Sequence, residues 1–91
     1  MKLFMVIENF RPGQAPAVYR RFRERGRMAP EGLEYLSSWV DLDFRRCFQI
    51  MQAKDESLLH EWAAHWQDLV DVEIIPVQTS ADAAAAMARE G

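Results

Sequence analysis

Apolar and polar positions divide this chain into short periodic blocks, separated by glycine, proline and aspartate. Lys2 to Asn9 predicts a strand, with Leu3, Met5 and Ile7 on one face and Phe4, Val6 and Glu8 on the other. Arg11-Pro12-Gly13 ends it. A helix follows from near Pro16, with Ala15, Val18, Tyr19 and Phe22 as its buried stripe and Gly26 as its stop. Pro30-Glu31-Gly32 is a turn, and Glu34–Asp41 and Arg45–Gln52 predict a hairpin through Leu42-Asp43-Phe44. Asp55 is the expected cap of a second helix whose face carries Leu58, Leu59, Trp62, Ala63 and Trp66. Val70–Val77 is a fourth strand, with Pro76 suited to an edge. Ser80 is the expected cap of an alanine-rich helix over Ala81–Arg89.

The order strand, helix, strand, strand, helix, strand is a ferredoxin-like βαββαβ arrangement of class α+β. Right-handed crossovers put both helices on one face of a four-stranded antiparallel sheet and leave the other bare. Residues 1–78 then form the domain and 79–91 a tail. The mainly aliphatic set Leu3, Met5, Ile7, Leu36, Val40, Phe48, Ile50, Val72 and Ile74 is expected under the helices. The mixed set is Phe4, Val6, Glu8, Tyr35, Ser37, Trp39, Cys47, Gln49, Met51, Glu73, Ile75 and Val77. It is too apolar for water and too polar for a dry core. Pairing with a second copy, sheet to sheet around a partly polar cavity, resolves both, so a homodimeric α+β barrel is expected.

Composition narrows the function. The chain has 91 residues, 49% of them hydrophobic and 11% aromatic, enough for one cored domain. A net charge of −3 gives no general attraction to nucleic acid or anionic membrane. The single cysteine, Cys47, excludes an internal disulfide and fits a reducing compartment. Leu3 to Ile7 is too short for a signal-peptide core, and no segment approaches the roughly 20 apolar residues of a membrane span. A cytoplasmic protein is the expectation.

The candidate chemistry is sparse. His60 and His65 stand five apart, where a zinc-protease helix needs four, so their imidazoles diverge and no metal site is expected. Haem is the cofactor left open, because one axial histidine needs no partner spacing, but two solvent-facing histidines is the simpler reading. Residues 19–27 hold five arginines, which read better as a solvated helix end than as a nucleic-acid surface. One of them, Arg21 or Arg25, is expected to reach a pocket edge and bind a carboxylate. Trp39 and Tyr35, with Arg46, Gln49, Trp62 and Trp66, are the candidate ligand-binding residues, although Trp62 and Trp66 also serve an ordinary core. Glu8 and Glu73 are the candidate general bases, expected on neighbouring strands and facing each other. Cys47 reads as structural.

Several segments resemble the bacterial domain-of-unknown-function family numbered 3303. They are Met1 to Val6, Pro30-Glu31-Gly32, Ser38-Trp39, Cys47-Phe48-Gln49, Glu61-Trp62 with Trp66, Asp68 to Glu73, and Pro76-Val77. The Trp-x-x-x-Trp-x-Asp-Leu run is the most specific, and Gln52 departs by standing where relatives carry glutamate. The resemblance implies a ferredoxin-like dimeric barrel without an established activity and supplies no catalytic residues. The architecture also looks like that of dimeric α+β barrels, which include cofactor-free monooxygenases of aromatic polyketides, small isomerases and haem-degrading enzymes. Fold alone does not choose among these. The leading expectation is a homodimer that binds a small, flat, apolar and anionic ligand. A barrel-type monooxygenase or isomerase is the alternative, and a ligand-free scaffold the third reading.

Overall fold

A computed structural model of the chain describes residues 1–90. The elements are β1 (Lys2–Phe10), α1 (Ala15–Arg25), β2 (Glu34–Val40), β3 (Arg46–Ala53), α2 (Ser57–Ala63), β4 (Val70–Val77) and α3 (Ser80–Glu90). The strands form one antiparallel sheet in the order β2-β3-β1-β4. This is the ferredoxin-like α+β fold, with Pro76 on the edge strand β4.

Local chemistry sets the boundaries. Pro16 sits in the first turn of α1, and Gly26 closes the helix at φ +70, donating its N–H to the Phe22 carbonyl. Asp55 accepts the Ser57 N–H at 2.9 Å and so caps the entry to α2. That helix is shorter than its apolar stripe: it ends at Ala63, and Trp66 rides on the turns that follow, its N–H donated to the Ala63 carbonyl. Thr79, rather than Ser80, caps α3, its hydroxyl accepting the Asp82 N–H at 3.0 Å.

The sheet faces reverse the expectation for β1 and β3. Phe4, Val6, Glu8, Cys47, Gln49, Met51 and Ala53 lie buried beneath the helices, and Leu3, Met5, Ile7, Phe48 and Ile50 occupy the open face. Val72 and Ile74 pair with Glu8 and Val6, so β4 has the predicted orientation. Both parities of β1 and β3 are apolar, and the helices decide between them. Leu59, Trp62 and Trp66 pack with Phe4, Val6, Met51 and Val70 into one core. Two polar side chains, Glu8 and Gln49, are buried on that same side.

A bulge between Tyr35 and Ser37 shifts the parity of β2. Tyr35 stands opposite Met51 on the helix side, whereas Trp39 stands opposite Phe48 on the open side and is 60% exposed. The third helix, α3, buries none of its residues, and the molecule extends 49 × 30 × 17 Å. Among the described residues, no helix is long and apolar enough to cross a membrane.

Candidate functional site

The loop from Gly26 to Leu33 organises the site. Gly26, Met28 and Gly32 all take positive φ values, so the chain reverses sharply and lays Arg27 against the sheet. The Arg27 carbonyl accepts two indole N–H groups, from Trp62 at 3.0 Å and Trp66 at 3.1 Å. Both lone pairs of one oxygen are thus used, and neither buried indole is left unpaired. The Arg27 side chain turns the other way. Its Nη1 donates to Gln49 Oε1 at 2.6 Å, and the guanidinium lies 3.7 Å from the Tyr35 ring centroid. Phe22 approaches the same cation at 5.2 Å. Gln49 completes its own bonding by donating Nε2 to the Met51 sulfur at 3.1 Å.

Between α1 and the helix-side face of the sheet lies a pocket of about 240 Å³. Phe10, Val18, Phe22 and Val40 supply apolar wall; Glu8, Tyr19, Arg27, Ser38, Cys47 and Gln49 supply the polar groups. Glu8 and Cys47 are direct cross-strand partners. The Glu8 side chain is 8% exposed, yet no nitrogen or oxygen donor among the described residues bonds its carboxyl group. Glu8 lines the pocket, with the Cys47 thiol beside it as a side-chain hydrogen-bond partner.

Electrostatics follow from this burial. Desolvation raises the Glu8 pKa above the usual carboxylate range, against opposing contributions from the Cys47 thiol and the Arg27 charge. Desolvation also pushes the Cys47 thiol up to about 12, helped by the neighbouring Glu8. A thiol in that state is a weak donor and not a nucleophile. Tyr19 is raised too, by burial and then by Cys47 and Glu8. The pocket therefore presents O–H and N–H donors from several directions.

The predicted site residues separate onto two faces. Glu8, Gln49, Trp62 and Trp66 line the pocket, and Tyr35 joins them indirectly by stacking on Arg27. Trp39, Arg46 and Glu73 lie on the open face: Arg46 packs over Phe48 at 5.0 Å, and Glu73 stands opposite Ile7. Glu8 and Glu73 thus project to opposite sides of the sheet and cannot share a proton. Arg21 does not reach the pocket. It is held outside by Asp68 through bonds of 2.8 and 2.7 Å and by the His65 carbonyl at 2.8 Å. The His60 Nε2 lies 2.9 Å from Glu56 Oε2 on the surface, and His65 is exposed.

Comparison with known proteins bears on the family and the fold. The model of the family described as a domain of unknown function, DUF3303, matches residues 2–91. The chain belongs to the DUF3303 family. Among solved structures it is similar to that of PA3566 from Pseudomonas aeruginosa, at 20% identity and a TM-score of 0.55. The match covers 86% of this chain and 93% of that one, and it bears on the fold alone. No curated protein matches the chain.

The pocket of this DUF3303 chain includes three residues that the sequence did not single out for it: Arg27, Ser38 and Tyr19. Tyr19 and Ser38 carried no signal beyond their elements. Arg27 sits outside any element, directly after a helix-ending glycine, and that juxtaposition was the available clue.

Proposed function

We propose that this DUF3303 chain is a homodimeric small-molecule-binding protein whose ligand occupies the pocket between α1 and the sheet. The observation that carries the reading is the Glu8 carboxyl, 8% exposed and without a nitrogen or oxygen partner, turned to a cavity with apolar walls. A volume of about 240 Å³ exceeds the roughly 150 Å³ that admits benzene in an engineered cavity, so a single-ring molecule fits. The donors of Tyr19 and Arg27 favour an oxygen acceptor, neutral or anionic, and the Arg27 charge disfavours an amine.

The dimer half of the proposal rests on the open face. Leu3, Met5, Ile7, Phe48 and Ile50 form its centre, with Trp39 60%, Ile75 42% and Val77 37% exposed around them. An apolar surface of this continuity is an interface, and a second copy is the occupant it suits. Arg46, salt-bridged to Asp41, and Glu73, bonded by Asn9, flank the patch two strands apart and give it a charged rim. This pairing encloses Trp39 and Arg46 and leaves the pocket on the far side of each sheet.

Native mass spectrometry on the purified chain tests both halves. A dimer that carries a bound small molecule, or takes up a single-ring carboxylate at one equivalent per protomer, is expected. A monomer at micromolar concentration overturns the dimer. A protein that takes up no such compound at millimolar concentration overturns the pocket. The enzymatic alternative, an isomerase-type protein, draws on the same Glu8, whose burial suits proton transfer better than a solvated acid would.

A further inference from the structure

The pocket holds one potential base and, around it, groups that stabilise negative charge on oxygen. Arg27 spends Nη1 on Gln49, and its other nitrogens make no hydrogen bond among the described residues. The Tyr19 hydroxyl likewise has no partner there, and it lines the cavity beside Glu8 and Arg27. Gln49 and the Tyr35 ring fix the guanidinium, so its orientation needs no reorganisation when a ligand enters. Cys47 is protonated and serves as wall. No second carboxylate and neither histidine lines the cavity. This set is suited to moving one proton on a compound that becomes an oxyanion.

Resting on the pocket reading above, we infer that the site interconverts the keto and enol forms of a small, single-ring carbonyl compound, with the Glu8 carboxylate as the base and Arg27 with Tyr19 as the oxyanion donors. Glu8 takes a proton from the carbon next to the carbonyl. The C–H electron pair becomes the new C=C bond, and the C=O π pair moves onto oxygen, where Arg27 and Tyr19 meet it. Glu8 then returns its proton to that oxygen, giving the enol and restoring the carboxylate. Atoms and charge balance without a co-reactant. Burial strengthens Glu8 as a base by raising its pKa towards the working pH.

Phenylpyruvate carries a ring, an enolisable CH₂, a carbonyl and a carboxylate, and serves as the probe. Loss of its CH₂ proton signal in D₂O reports proton transfer, and quenching of Trp62 and Trp66 fluorescence reports binding. Exchange faster than in buffer by about a hundredfold is expected. It should fall to the buffer rate in Glu8→Gln while the quenching midpoint stays, and should be unchanged in Glu73→Gln, on the opposite face. Benzoate, which cannot enolise, should suppress exchange in the unaltered protein, a test that holds even if Glu8→Gln folds poorly. Binding without acceleration, acceleration that survives Glu8→Gln, or acceleration insensitive to benzoate overturns the inference and leaves ligand binding standing. Absence of quenching by phenylpyruvate, phenylacetate and benzoate alike overturns the pocket reading itself.

Discussion

Arg27 Nη1 lies 2.6 Å from Gln49 Oε1, tying the loop after α1 to the centre of the sheet. Gln49 is 1% exposed, and this is the bond that satisfies its carbonyl oxygen. Replacing Arg27 by Met strands that oxygen, at a cost of about 1–3 kcal/mol. Replacing Gln49 by Leu leaves Arg27 unpaired, but water reaches a half-buried guanidinium, so the loss should be smaller. The double variant, with both polar ends removed, should be more stable than the sum of the single losses implies. Urea denaturation of the four proteins measures this cycle, and strict additivity would show that the pair is uncoupled.

The Arg27 carbonyl makes a second, separable prediction. With Trp62 and Trp66 both donating to it, either indole alone still satisfies the oxygen. Trp62→Phe and Trp66→Phe should each lose about 1 kcal/mol for the missing bond, apart from packing differences. Together they orphan the carbonyl, and the double loss should exceed the sum of the singles by about 1 kcal/mol or more. Additive losses would mean that the oxygen is rehydrated when the indoles are gone.

These two relationships also mark how far the residue pattern alone could be read. The element order was legible because the punctuation is strong: Pro12-Gly13, Gly26, Pro30 to Gly32 and Asp55 each stop or start an element where the structure has it. The helix-covered face of β1 and β3 was not legible. Phe4, Val6 and Met51 are as apolar as Leu3, Met5 and Ile50, and the buried Glu8 and Gln49 argue for the wrong side unless their surroundings are known. One bulged residue in β2 separated Tyr35 from Trp39. Trp39, one of the six candidate ligand residues, went with it, and Arg46 on β3 belongs to the open face as well. Arg27 depends on partners from β3 and from the end of α2, a convergence that spacing along the chain does not encode.

The pH dependence of stability separates Glu8 from Asp68. Burial raises the folded-state pKa of Glu8, so the native state binds its proton more tightly than the unfolded chain. Its stabilising share is complete below the unfolded value of 4.5 and is lost as pH rises through the folded value. Asp68 has the opposite sign. Its bonds with Arg21 lower it from 3.8 to about 2, so that share is present above 3.8 and is lost as pH falls towards 2. Glu8→Gln should flatten the decline on the alkaline side of pH 4.5 and leave the acid limb, whereas Asp68→Asn should reduce the acid limb alone. Thermal melts from pH 2 to 8 distinguish them, and an unchanged decline in Glu8→Gln would show that Glu8 is well solvated in the folded protein.

The open face offers a test that does not involve the pocket. Ile50 sits at the middle of β3, opposite Met5 on one side and Ser37 on the other, with no helix above it. In a lone protomer, Ile50→Lys exchanges a partly exposed apolar side chain for a solvated one, and stability should change by less than about 0.5 kcal/mol. In a sheet-to-sheet dimer the same lysine, and its copy across the two-fold axis, is buried without a counter-ion near the centre of the contact. That is costly enough to separate the subunits. Light scattering should report the dimer mass for the unaltered protein and half of it for Ile50→Lys, with the circular dichroism spectrum retained. Trp39→Ala, which removes the most exposed aromatic residue on the same face, should weaken the dimer without abolishing it. Phenylpyruvate quenching in the Ile50→Lys monomer then decides whether each protomer's pocket is complete by itself. Retained quenching is expected, because the pocket lies on the side of the sheet opposite Ile50.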